Sequence, residues 1–153
     1  MYETLLDEIG AFRRTRGKDL QPPASDAEID DLRKRTRQEL RYTLPDAYAA
    51  FLRRANGFEF NGLSLYATGR LLIVGATDRY VQGLVEANLE WRQAGGYRDE
   101  IVFGHSGGAT YVFHTKDGAW QVRSQPTDSV LETVGSLEEL LLRALEDVRP
   151  RKP

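Results

Sequence analysis

Apolar residues recur at every third or fourth position through much of the first half of the chain, which is the spacing of one helix face. The pattern predicts a first helix over residues 2–15 and a second helix that begins after Ser25. Ser25 and Glu28 match the capping box, a pair of reciprocal side-chain hydrogen bonds that starts a helix. The positions expected to face a core are Leu5, Ile9 and Phe12, and then Ile29, Leu32, Thr36 and Leu40.

A third helix is predicted within residues 44–57. Pro45 suits the first helical position because its missing N–H would have no partner there. Gly57 suits the left-handed conformation that often follows the last helical turn. The apolar side of this helix, which must be buried against something, carries Tyr48, Phe51, Leu52 and Ala55.

After residue 57 the pattern changes to the alternation that is typical of strands. Asn61-Gly62 lies between two short alternating segments, which is a strong signal for a β-hairpin. Further strands are predicted at residues 71–74, 101–103, 109–115, 119–124 and 130–134. We therefore expect a sheet built mainly from hairpin-connected strands.

Two more helices are predicted in the second half of the chain. The first runs from about Tyr80 to Ala94, with Asp78 as its cap, Gly95-Gly96 at its end and Trp91 on its apolar side. The second starts at a capping box of Ser136 and Glu139, and residues 149–153 are expected to be a frayed end. Its apolar residues are Leu137, Leu140, Leu141, Ala144, Leu145 and Val148.

Helices placed before and after a run of hairpin-connected strands predict an α+β fold, with a mainly antiparallel sheet covered by helices on one side. The sequence predicts one domain over residues 1–153, with its core at about residues 25–148. It leaves open whether the helix at residues 2–15 packs on this core or is peripheral.

Composition narrows the classes of function. The 153 residues include no cysteine, which excludes disulfides, thiolate zinc sites and cysteine nucleophiles. A net charge of −2 without a basic stripe argues against direct binding of nucleic acid. The first eight residues are acidic and unlike a signal peptide, and no apolar run is long enough to cross a bilayer, so we expect a cytoplasmic protein that does not bind membranes.

One motif resembles a catalytic site. Residues 104–108 match the G-x-S-x-G pattern of a hydrolase, but that motif needs a helix directly after the serine, and a strand is predicted there. The two histidines, His105 and His114, lie on separate predicted segments and do not have the spacing of metal ligands. The sequence therefore predicts no catalytic residue, no metal site and no cofactor.

Residues 44–57 follow the pattern L-P-x-x-Y-x-x-F-L-x-x-x-N-G, and a glycine-rich turn leads into a strand at residues 103–113. This combination resembles the SUKH superfamily, which includes bacterial toxin-immunity proteins and yeast cell-wall synthesis regulators. His114 stands where members often carry an acidic residue. The positions that carry the resemblance are Leu44, Pro45, Tyr48, Phe51, Leu52, Asn56, Gly57, Gly107 and Gly108.

The resemblance implies a curved sheet with helices packed around it, and a protein that binds a toxin domain, such as a nuclease, and blocks it without chemistry. The alternative that it leaves open is a regulatory scaffold that binds host proteins. Strand alternation places Thr110 with three of the candidate residues on one exposed sheet face. The residues expected to bind a protein partner are Glu59, Asn61, Trp91, His114, Gln121 and Arg123. The sequence does not indicate which oligomeric state the protein adopts.

Overall fold

The computed structural model describes residues 1–150, so the last part of the predicted frayed end lies outside the described residues. Within this range five α-helices surround a β-sheet. The helices are α1 (Tyr2–Arg14), α2 (Asp26–Leu40), α3 (Asp46–Arg54), α4 (Leu84–Gln93) and α5 (Leu137–Glu146). None of the helices in residues 1–150 is both long and apolar enough to cross a membrane.

The main sheet has six strands in the order β1-β2-β5-β6-β7-β8, and every neighbouring pair is antiparallel. A separate hairpin is formed by β3 and β4. The predicted α+β fold is therefore confirmed. The strands are β1 (Phe58–Phe60), β2 (Leu63–Leu65), β3 (Leu71–Leu72), β4 (Tyr80–Val81), β5 (Glu100–His105), β6 (Ala109–His114), β7 (Ala119–Ser124) and β8 (Val130–Val134).

The third helix is anchored by Tyr48, which is fully buried. Its ring centroid lies 4.9 Å from that of Phe103 on β5, and its hydroxyl donates to the main-chain oxygen of Tyr66 at 2.5 Å. The helix begins at Asp46, one residue later than predicted, because Pro45 keeps an extended conformation and serves as the N-cap. The predicted inward face is confirmed, since each of its apolar residues is fully buried, namely Tyr48, Phe51, Leu52 and Ala55.

Gly57 has a φ of +86°, as the sequence predicts. A Cβ atom there would lie 2.8 Å from the Cβ of Ala67 and 2.8 Å from the Cγ1 of Val81. Both the left-handed backbone and the close approach of β4 therefore require glycine. The Asn61-Gly62 hairpin is also confirmed, because both turn residues have positive φ.

The first helix packs against α5. Four of its side chains, Tyr2, Leu5, Leu6 and Ile9, belong to the main apolar core. Phe12 is only half-buried, and its ring contacts Phe60 with 6.0 Å between the centroids. The amphipathic pattern of this helix thus faces both α5 and the β1–β2 hairpin.

The predicted start of the fourth helix is wrong. Residues Tyr80–Val81 form strand β4, and the helix begins only at Leu84, with Gly83 rather than Asp78 as its N-cap. Pairing with β3 and a bridge between Gly83 and Ala67 hold this stretch extended. Such long-range pairing overrides the local helical pattern.

The two predicted capping boxes differ. Ser25 and Glu28 make both reciprocal hydrogen bonds. The Oγ of Ser136 accepts from the N–H of Glu139 at 3.2 Å, but the Glu139 carboxylate accepts from Gly135, one residue before the expected partner. The second box is therefore shifted by one residue.

Replacing Tyr48 by Phe should cost about 1–3 kcal/mol of unfolding free energy, because the change leaves the buried Tyr66 carbonyl without this donor. Chemical denaturation followed by tryptophan fluorescence measures the change. Tyr80→Phe is the matched control, since Tyr80 is 42% exposed and should change stability by less than about 0.5 kcal/mol. Equal stabilities of the two variants would contradict the anchoring role of Tyr48.

Candidate functional site

A row of polar side chains crosses five strands of the main sheet. Cross-strand pairing links Glu59 to Ser64, Ser64 to His105, His105 to Thr110, and Thr110 to Arg123. Residues that lie directly opposite each other in neighbouring strands point to the same face of the sheet. This row therefore defines the polar face of the sheet.

Most of the polar face is closed to solvent. Ser64 is 6% exposed, Thr110 is fully buried and Arg123 is 7% exposed, whereas Glu59 and His105 are half-buried. The prediction that one face carries Thr110 and Arg123 together is correct, but the prediction that these two residues are exposed is wrong. Within this row of residues, Glu59 and His105 are the two that a partner can reach.

Arg123 is held inside the fold by a buried ion pair. Its Nη1 lies 2.7 Å from Oε1 of Glu100 and 3.5 Å from a carboxylate oxygen of Asp128. Its Nε donates to Oε1 of Gln121 at 3.1 Å. A buried charge is stable only when such partners replace water. Arg123 and Gln121 therefore position each other, and the Arg123 guanidinium is already occupied by these carboxylates.

The segment between α4 and β5 also covers part of the polar face. Tyr97 in this segment places its hydroxyl 3.3 Å from Oγ1 of Thr110 and also accepts a hydrogen bond from Gln125. Its ring packs edge-on against Trp91, with 5.0 Å between the centroids. Burial raises the pKa of Tyr97 above its usual value, so its hydroxyl stays protonated at neutral pH.

Tyr66, His105 and Trp91 form a hydrogen-bonded cluster at the open part of the face. The indole N–H of Trp91 donates to the hydroxyl of Tyr66 at 2.9 Å, and this hydroxyl lies 2.7 Å from Nδ1 of His105. Because an indole N–H can only donate, the Tyr66 hydroxyl accepts from Trp91 and keeps its own proton available for donation to His105. That arrangement fits a neutral His105 with its proton on Nε2.

Electrostatics agree with this assignment. Burial lowers the pKa of His105, and the nearby Glu59 carboxylate opposes the shift without cancelling it. Burial also raises the pKa of Tyr66 well above its usual value, although the Trp91 hydrogen bond opposes the shift. The cluster is therefore uncharged near neutral pH, and its hydrogen bonds fix the orientation of the Trp91 ring.

The cluster lines a cleft of about 330 Å³ whose walls are Gln82, Glu90, Trp91 and His105. Glu90 is exposed, and neither the Glu90 nor the Glu59 carboxylate has an ion pair with another residue of the described range 1–150. We call this cleft the Trp91 recess. It offers a fixed aromatic ring beside two carboxylates.

The other predicted binding residues lie elsewhere. Asn61 is exposed in the β1–β2 turn, and its amide donates to the main-chain oxygen of Val148 at 3.4 Å. His114 lies at the far end of β6, where its Nδ1 accepts from the N–H of Asp117 at 3.2 Å. Of the six candidates, Glu59 and Trp91 lie near His105, whereas Asn61 lies in the β1–β2 turn, His114 at the far end of β6, and Gln121 and Arg123 on β7.

The glycine-rich motif forms a turn between two strands. The N–H of Ser106 donates to the main-chain oxygen of Ala109 at 2.8 Å, and β6 follows directly, as predicted. The Ser106 hydroxyl contacts Tyr111, while His105 contacts Tyr66. Within residues 1–150 no three His, Cys, Asp or Glu side chains are grouped so that they could hold a metal ion.

The structure and the sequence together define an α+β domain with a polar face and a short aromatic recess. A family model described as the SMI1 / KNR4 family (SUKH-1) matches residues 23–143, and the chain belongs to this family. The predicted membership of the SUKH superfamily is confirmed. The family includes toxin-immunity proteins, and its members are generally protein-binding and non-catalytic. No curated protein matches the chain.

Sequence reasoning did not single out Tyr66, and it did not connect His105 with Trp91. Tyr66 directly follows β2 and has the alternation of a core residue, so its sequence context indicates only packing. The sequence motif around His105 suggests only hydrolase or metal chemistry, and its context argues against both. The available signal is a histidine at the end of a strand, where its side chain lies opposite Ser64 on the polar face.

The lowered pKa of His105 predicts how stability depends on pH. The unfolded chain binds a proton at this site more readily than the folded chain, so the neutral ring stabilises the fold fully above about pH 6.5. This contribution is lost as pH falls through the lower folded pKa. The unfolding free energy should therefore rise between about pH 5 and pH 7.

His105→Asn should flatten this dependence, because the amide oxygen can still accept from Tyr66 but does not titrate in this range. Denaturant titrations at several pH values compare the two proteins. An NMR titration of the His105 ring gives the folded pKa directly. Parallel pH profiles, or a His105 pKa above that of a model peptide, would contradict the assignment.

Proposed function

We propose that this protein is an immunity protein that neutralises a toxin domain by stoichiometric binding through the Trp91 recess. The observation that supports the proposal is the hydrogen-bonded cluster of Tyr66, His105 and Trp91, which holds a half-buried tryptophan ring in one orientation. Tryptophan is among the residues that most often dominate interface energy. A ring that is already ordered loses little further entropy when a partner binds.

The chemistry of the recess favours binding over catalysis. The Nδ1 atom of His105 is engaged by the Tyr66 hydroxyl, and the raised pKa of Tyr66 keeps that hydroxyl protonated. Neither group is arranged to remove a proton from an adjacent nucleophile, since Ser106 faces Tyr111 instead. A site that presents shape and fixed hydrogen bonds is suited to blocking another protein.

Charge supports the kind of partner. Glu59 and Glu90 place two carboxylates beside the recess, and the whole chain has a net charge of −2. A nuclease toxin needs a basic surface for the phosphates of its substrate. Carboxylates that meet such a surface raise the rate of association and exclude wrongly charged partners. A basic nuclease domain is the partner that we propose.

The second candidate function is a regulatory scaffold that binds host proteins without inhibiting them. It is favoured by the family, whose members include regulatory as well as immunity proteins. The two functions predict different genes next to the one that encodes this protein. A toxin encoded beside this protein supports immunity, whereas a scaffold has no need for such a neighbour. The cytoplasm is the compartment that we propose for either function.

The proposal predicts a one-to-one complex with the toxin domain encoded by a neighbouring gene, measured by isothermal titration calorimetry. Trp91→Ala should weaken the complex by at least about 2 kcal/mol, because the variant removes the ordered aromatic contact. Leu131→Ala is the control, since Leu131 is an apolar residue that is 61% exposed on β8, at the outer edge of the sheet. It should leave the affinity unchanged.

Trp91→Phe separates the two roles of the side chain. This variant keeps an aromatic ring but loses the donor to Tyr66, so its affinity should lie between those of the native protein and Trp91→Ala. A folded protein that forms no complex would contradict the immunity function. A complex that is equally tight with Trp91→Ala would contradict the assigned surface.

A further inference from the structure

A second concave site lies on another part of the molecule, between the end of α1, the turn that follows it and the connection between β3 and β4. Its volume is about 730 Å³. The walls carry five basic side chains and a single carboxylate, Asp19, which is paired with Arg14 at 3.5 Å. We call it the basic cleft and define it by its other four basic residues, Arg13, Arg16, Lys18 and Arg79.

Arg13 carries an unusual combination of contacts. Its Nη1 donates to the main-chain oxygen of Glu59, and its guanidinium lies 5.4 Å from the centre of the Phe60 ring. Its Nε is buried and has no hydrogen-bond partner among residues 1–150. Burial lowers the pKa of Arg13 and the positive charge of Arg79 lowers it further, while the nearby Glu59 carboxylate opposes the shift. Two cations thus face the same space, and one of them is partly desolvated.

Three other cations of the cleft, Arg16, Lys18 and Arg79, form no ion pair within residues 1–150. The side chains of Arg79 and Lys18 make no hydrogen bond or ion pair within the described part of the chain, and Arg16 stacks over Phe12 at 3.8 Å from the ring centre. Arg35, by contrast, is paired with both Asp31 and Glu86. Because the whole chain has a net charge of −2, its composition does not account for this local excess of positive charge.

The helix dipole of α1 explains the positions of only some of these basic residues. Basic residues in the last turn of a helix interact favourably with its carbonyl end, which accounts for Arg13 and Arg14 on α1. It does not account for Arg79, which comes from the β3–β4 connection and faces Arg13 across the cleft. Bringing these like charges together costs stability. An anion supplied from outside would offset that cost.

The side of the cleft that carries Arg79 indicates what kind of anion fits. The same β3–β4 connection contributes Ile73, Val74 and Ala76, and Val74 is 37% exposed. The adjoining β3–β4 hairpin exposes two more large apolar side chains, Leu72 at 46% and Tyr80 at 42%. A protein that binds nucleic acid needs basic residues spread along the path of the phosphate backbone, whereas this cleft has one basic cluster next to apolar side chains. An acidic peptide that also carries apolar side chains matches both parts of the cleft.

We propose that the basic cleft binds the carboxylates of an acidic segment of a protein partner, with the apolar side chains of that segment on the β3–β4 hairpin. The guanidinium groups of Arg13 and Arg79 receive the carboxylates, because arginine and carboxylate geometries match. This site is separate from the Trp91 recess, and the inference does not rest on the proposed toxin.

The test uses the full chain and a short fluorescent peptide that contains several Glu and Leu residues, with binding followed by fluorescence anisotropy. Arg79→Gln should weaken binding at least about fivefold, because one charged contact is lost. Arg53→Gln removes the same charge from α3, where Arg53 is paired with Asp26, and should leave binding unchanged. Added salt should weaken binding of the native protein.

Two further measurements decide the chemistry. A peptide with Gln in place of every Glu should not bind, and a single-stranded oligonucleotide should compete poorly with the acidic peptide. No binding of the acidic peptide, or equal binding by Arg79→Gln, would overturn the proposal. Better binding of the oligonucleotide would replace the acidic peptide with a nucleic-acid ligand and so also overturn it.

A stability measurement gives an independent readout. Arg79→Gln should melt at a temperature equal to or above that of the native protein, since it relieves the repulsion with Arg13. A lower melting temperature for Arg79→Gln than for Arg53→Gln would show that Arg79 has a structural role. Trp91→Ala should bind the acidic peptide like the native protein, so failure of the toxin proposal and failure of this one are distinguishable.

Discussion

The buried contact of Tyr48 with the central strands is the interaction on which the rest of the structure depends. Its ring packs on Phe103 of β5, and its hydroxyl binds the main-chain oxygen of Tyr66, directly after β2. One side chain therefore joins α3 to two neighbouring strands. Tyr66 also places its side chain next to Trp91, where its hydroxyl accepts the indole hydrogen bond. The main chain of Tyr66 therefore anchors α3, and its side chain helps to form the candidate site.

The polar face and the basic cleft differ in how their charged side chains are balanced. Under the polar face, Arg123 is surrounded by Glu100, Asp128 and Gln121, so its charge is balanced within the fold. In the basic cleft, Arg13 faces Arg79, and neither side chain forms an ion pair within residues 1–150, although the Glu59 carboxylate lies close enough to Arg13 to influence its pKa. Balanced charges position neighbouring groups, whereas charges without partners are available to a ligand. This difference separates the polar residues that hold the fold together from those that we propose to bind a ligand.

Helices and hairpins with strong local signals were predicted well. The capping box at Ser25, the Asn61-Gly62 turn and the left-handed Gly57 depend on contacts within a few residues, and all three are present. The start of α4 was predicted wrongly because Tyr80 pairs with Leu72, a contact that local spacing cannot reveal. The binding face was predicted only in part for the same reason. Alternation placed Arg123 on the correct face, but its cover comes from distant segments.

The sequence by itself determined the family, the α+β class and the inward face of α3, because these follow from periodicity, turn residues and a compact motif. Only the tertiary structure decided which polar groups are free. It closed the face over Thr110, joined Trp91 to His105 through Tyr66, and brought Arg79 to Arg13. The physical reason is that solvent exposure and charge balance depend on segments far apart in the chain, whereas periodicity depends only on near neighbours.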